Sequence, residues 1–101
     1  MAEGRGLRVV ASFHKTIDHL DNTPVIVAKV TIERAEGGVG EGTLMQQATK
    51  GTWTDMEQQF KTAAEAETWA KATAEKIRIQ YTATMARINA LEVPEDFEVY
   101  G

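Results

Sequence analysis

The stretch from Thr62 to Leu91 constrains this chain most, because it holds no glycine and no proline and alanine recurs along it. Alanine is the best helix former and nothing interrupts it, so the stretch predicts one long helix. Thr62-Ala63-Ala64-Glu65 marks its start as a capping box: the threonine hydroxyl accepts from the amide three residues on, and the glutamate reaches back toward the threonine amide. Pro94 lies just past its end, where helix stops are often found. Ala66, Trp69, Ala70, Thr73, Ile77, Tyr81, Thr84, Met85, Ile88 and Leu91 fall on one stripe at helical spacing. At 1.5 Å per residue this helix is about 43 Å long. A strand of about nine residues covers only about 30 Å, so part of the helix should overhang any sheet beneath it. Thr82 and Thr84 leave open whether it runs straight or bends.

Upstream, the periodicity changes to two. Leu7, Val9, Ala11 and Phe13 alternate with other residues as on one face of a strand. In residues 25–34, Ile26, Ala28, Val30 and Ile32 point one way while Lys29, Thr31 and Glu33 point the other, the pattern of a half-buried antiparallel strand. Asp21, Asn22 and Pro24 place a turn or loop in residues 18–24 between them. Residues 43–49 and 52–60 read as two further strands, with Lys50-Gly51 as a tight turn. The expected fold is α+β: an antiparallel meander of three to four strands packed against one long C-terminal helix. Residues 1–91 form a single domain and residues 92–101 an acidic tail.

Composition narrows the function classes. There are no cysteines, which excludes a disulfide scaffold and thiol catalysis and fits a cytoplasmic location. No stretch approaches the roughly 20 apolar residues of a membrane span. The net charge is −4, and Glu92, Glu95, Asp96 and Glu98 account for the excess, leaving a neutral body. A neutral body argues against binding nucleic acid by charge alone, since that affinity comes mainly from phosphate neutralisation.

Candidate chemistry is sparse. His14, Asp18 and His19 make the one imidazole-carboxylate group, but the two histidines diverge on a strand or a helix, and zinc needs three or four convergent ligands. Gly37-Gly38-Val39-Gly40-Glu41-Gly42 lacks the Lys-Ser or Lys-Thr pair of a phosphate loop and reads as a hairpin loop. Asp55 and Glu57 share a strand face without an apolar wall to separate their pKa values. The expectation is a non-enzymatic protein with no cofactor and no metal.

Two features point instead to binding. The distal helix carries a second row, Ala72, Ile79, Ala83, Ala86 and Ala90, whose small residues let another helix approach closely. The tail alternates aliphatic or aromatic residues with acids through Glu95, Asp96, Phe97, Glu98 and Tyr100, a pattern that fits a strand added to a sheet edge, Phe97 and Tyr100 docked in a basic groove, a strand on its own sheet, or a frayed terminus. Ile79, Ala83, Ala86, Ala90 and those five tail residues are therefore the expected partner-binding set. The partner is a protein, most simply a second copy in a homodimer. The alternative is a small nucleic-acid-binding domain using Lys71, Lys76, Arg78 and Arg87 with Trp53 as a stacking surface.

Gly51-Thr52-Trp53 and the run Phe60-Lys61-Thr62-Ala63-Ala64-Glu65-Ala66-Glu67-Thr68-Trp69 resemble the strand-to-helix junction in the arm-binding domains of tyrosine recombinases. The resemblance covers about twenty residues and implies three strands followed by a helix. It also implies DNA read from the sheet by arginines and lysines, where this chain carries Asp55, Glu57, Gln58 and Gln59.

Overall fold

A computed structural model describes residues 6–40, 44 and 57–101. Three strands, β1 (Leu7–Asp18), β2 (Thr23–Ala35) and β3 (Glu57–Phe60), form one antiparallel sheet in the order β1-β2-β3. One helix, α1 (Ala63–Ala90), packs on it. The expected α+β layout is thus the observed one, with three strands among the described residues. The expected strand at 43–49 and the start of the one at 52–60 lie outside the described residues, except for Leu44. That residue is helical, its amide donating to the Gly40 carbonyl, so the strand does not hold there.

β1 and β2 are longer than the alternation alone indicates, and the loop between them is correspondingly tighter. The turn occupies only residues 19–22. Asn22 takes the left-handed conformation with φ 60°, and its amide donates to the Asp18 carbonyl at 2.7 Å. Two aspartates close the loop: Asp18 accepts from the Leu20 amide and Asp21 from the Thr23 amide. Their short side chains substitute for backbone partners within a turn. The Thr23 hydrogen bonds hold the Asp21 carboxyl below its ordinary pKa. Pro24 falls inside the strand rather than in the loop, facing Ile17.

The pairing register sets the faces. Val9, Ala11, Phe13 and Lys15 lie opposite Ile32, Val30, Ala28 and Ile26, and Ile26 is paired in turn with Phe60. The register shifts between Arg8 and Val9, leaving Glu33 without a strand partner. Its carboxylate accepts from Arg8 Nε at 2.6 Å. Ala28, Val30 and Ile32 are buried on the α1 side, as their alternation predicts. Val25 and Val27 fall on the opposite face with Lys29 and Thr31 yet are buried too, so the central strand loses solvent on both faces.

The capping box forms at the start of α1, with the Glu65 amide donating to Thr62 Oγ1 at 3.2 Å. The return bond differs from expectation: the threonine hydroxyl, not its amide, donates to the Glu65 carboxylate at 3.1 Å. Trp69 meets Phe60 with ring centroids 5.7 Å apart, which pins the first turns of α1 to β3. Ala70 and Ile77 join Val30, Ile32, Val39 and Leu44 in the core. Alanine at 66 and 70 brings the helix backbone close to the sheet. Further on, the Tyr81 hydroxyl donates to the Glu36 carbonyl at 3.0 Å, and the Glu36 amide donates to Gly6. This polar clasp, followed one turn later by Met85 packed against Gly37, anchors the helix at the sheet end.

Candidate interaction surface

α1 runs opposite in sense to β1. Its first turns, at Ala63, Ala66 and Glu67, lie beside Phe13, Lys15 and Ile26, and Tyr81 sits over Gly6 near the start of β1. Met85 reaches Gly37. Past Met85 the helix leaves the sheet: Ala86, Arg87, Ile88, Asn89 and Ala90 are all exposed. Ile88 and Leu91 therefore end the predicted stripe in solvent, because among the described residues no strand extends beneath them. The helix is continuous through Thr82 and Thr84.

The second row is uncovered. Ala72, Ile79, Ala83, Ala86 and Ala90 are exposed, with Ile79 at 50%. The helix thus shows an apolar side chain and a run of small residues on a face that the sheet does not use. Beyond the Leu91 cap, which is extended at φ −72° and ψ 139°, residues 92–101 have neither helix nor strand. Leu91, Val93, Phe97, Val99 and Tyr100 are each more than two-thirds exposed, and Glu95, Asp96 and Glu98 are exposed among them. The Tyr100 hydroxyl donates to the Glu98 carboxylate, which pushes the phenol above its ordinary pKa.

The molecule is long for its size. Its greatest extent is 76 Å. That extent is well beyond α1 alone, about 42 Å, and residues 91–101, exposed and without helix or strand, form an arm beyond the end of the helix. The radius of gyration is 18.9 Å, against about 13 Å for a compact domain of this length.

The other candidates are dispersed. His14 is exposed on β1 and His19 in the turn, and among the described residues no three His, Cys, Asp or Glu side chains are grouped to hold a metal ion. Gly37 and Gly38 adopt positive φ, and Val39 turns inward to the core, so the start of the glycine segment carries a structural turn. Glu57 faces Lys29 across the sheet, and Asp55 lies outside the described residues. Of the helix cations, Lys71 pairs with Glu67 at 3.2 Å and Arg78 pairs with Glu75, so two of the four are locally neutralised. That pairing lowers the Glu75 pKa and raises that of Arg78. Trp53 lies outside the described residues. Among the described residues, no helix is long and apolar enough to cross a membrane.

Sequence reasoning missed the exposed inner face of β1. Phe13 is 48% and Ile17 39% exposed, although both lie on the face that α1 covers elsewhere. Phe13, with His14, Lys15, Ile26, Ala63, Ala66 and Glu67, lines a groove of about 470 Å³ beside the first turns of the helix. The alternation put Phe13 on one face with Leu7, Val9 and Ala11, but only the path of α1 over β2 shows that this end of β1 is left on its flank. No protein-family model, curated protein or solved structure matches this chain.

Proposed function

We propose that this chain is a non-enzymatic protein-interaction module, and that the overhanging end of α1 and the arm are its binding elements. The observation that carries this is the exposure of Ile88, Leu91, Phe97 and Tyr100 past the end of the sheet, with Ile79 exposed on the face of α1 turned away from it. Apolar side chains set along a projecting element lose that hydration cost when a partner covers them. Ala83, Ala86 and Ala90 admit a close helix, and Glu95, Asp96 and Glu98 favour a partner with basic side chains facing the arm. Association of two copies through the helix row, giving a homodimer, is the simplest arrangement.

The test is affinity capture from nuclease-treated lysate of the native host, with the full chain and two variants as bait. One variant carries Ile79→Asp and Ala86→Glu; the other carries Glu95→Gln, Asp96→Asn and Glu98→Gln. A protein retained by the full chain, and at least about tenfold reduced with a variant, is expected. Retention that depends on nucleic acid, or is equal for all three baits, overturns the reading.

A further inference from the structure

We infer that the arm is received by the free edge of β1 in a second copy of this chain, with residues 93–100 adding to it as an antiparallel strand. This rests on the arm being a binding element and names its partner. β1 is an edge strand among the described residues, and Ala11, Ser12, Phe13, His14 and Lys15 are all exposed along it. An exposed edge with unpaired backbone groups is a template for a further strand.

One register satisfies both faces at once. With Phe97 opposite Phe13, Val93 faces Ile17, Glu95 faces Lys15 and Val99 faces Ala11 on the side of α1. On the other side Pro94 faces Thr16, Asp96 faces His14, Glu98 faces Ser12 and Tyr100 faces Val10. Apolar residues thus meet apolar residues, Glu95 meets a lysine that has no ion pair among the described residues, and Asp96 meets a histidine. Opposite charges directly across a ladder stabilise it. A shift of one residue would put Asp96 and Glu98 on the apolar side. The strand starts at Val93 because one residue earlier Glu92 would face Asp18. Phe97 then enters the groove that Phe13, Ile26, Ala63 and Ala66 leave open.

The donor is another copy. Ala66, beside the groove, lies about 38 Å along the helix from Leu91. Two extended residues from Leu91 to Val93 span only about 7 Å, so a chain cannot set its own Val93 against its own Ile17. Because α1 runs opposite to β1, an arm that leaves the donor along the line of its α1 and pairs antiparallel with the acceptor's β1 keeps the two helices in the same sense. Successive copies then follow head to tail, an arrangement that does not close as a two-fold pair does.

Pro94 has no N–H, so its position belongs to the non-hydrogen-bonded pairs, as do Glu98 and Ser12, where cross-strand side chains come closest. The native chain has no cysteine, so cross-linking reads this contact directly. Full-length Ser12→Cys protein is mixed with full-length Glu98→Cys protein under mild oxidation. The expected product is a disulfide-linked pair containing one of each, while Ser12→Cys mixed with Val99→Cys, whose side chain faces the other way, yields little. Lys15→Glu should weaken association at least about threefold, and Lys15→Glu mixed with Glu95→Lys should restore it. Equal cross-linking by both pairs, none where the native chain associates, or a closed link within one Ser12→Cys/Glu98→Cys chain overturns the inference. A host protein captured through the arm without this cross-link leaves the interaction module standing and removes only the second copy.

Discussion

Gly37 holds a backbone φ of +89° directly under the helix, and a Cβ built there would lie 2.6 Å from Met85 Sδ. Gly38, at φ +82°, has nothing within 4 Å of the same added atom. The two positions separate backbone strain from packing. Gly38→Ala costs the strain alone, roughly 1 kcal/mol, while Gly37→Ala adds displacement of the flexible end of Met85 and costs somewhat more. Thermal melts check this: for a domain of this size 1 kcal/mol moves Tm by about 4–8 °C, so Gly37→Ala should melt below Gly38→Ala. In the sequence, residues 37–42 read as a hairpin loop; Gly37 and Gly38 do turn the chain, but Leu44 beyond them is helical, so the hairpin into a strand does not hold there. Which of these glycines touches the helix was not legible, because that depends on where Met85 arrives.

α1 is two elements joined end to end: a long packed part that the sheet holds through Met85, and a short projecting end, residues 86–90, that it does not. Ile77 is fully buried against β2, whereas Ile88 sits past the Tyr81 clasp and is exposed. Replacing Ile77 by alanine leaves a cavity in a close-packed site and should cost about 3 kcal/mol. The same change at Ile88 should cost under about 1 kcal/mol. Urea titrations of the two variants should show a large fall in midpoint for the first and little change for the second. Similar losses would mean that the distal helix is covered in the free protein. One periodic stripe in the sequence carries both residues, so periodicity alone does not tell them apart.

At the scale of the whole molecule, shape carries the argument. Dilute protein should scatter with a radius of gyration near 18.9 Å, and removing residues 92–101 should lower it clearly toward the compact value of about 13 Å. Raising the concentration of the full chain should lengthen the particle along one axis if copies add head to tail. The truncated chain should not respond. A full chain that already scatters as a compact particle when dilute would mean the arm folds back on its own molecule.

The sequence by itself determined the elements: an alanine-rich stretch capped by Thr62 and Glu65 makes α1, and period-two alternation makes β2 with Ala28, Val30 and Ile32 inward. These signals are local, set by propensity, capping and side-chain parity within a few residues. It also marked the arm, since acids alternating with large apolar residues form no core of their own. The tertiary structure alone decided the rest. It placed α1 over β2, which left Phe13 and Ile17 on an open flank; it buried Val25 and Val27 on the face that Lys29 and Thr31 suggested was solvated. It also ended the contact of α1 with the rest of the fold at Met85, so that Ile88 and Leu91 emerge into solvent. Burial depends on what lies opposite a side chain, and that partner can be tens of residues away in the chain.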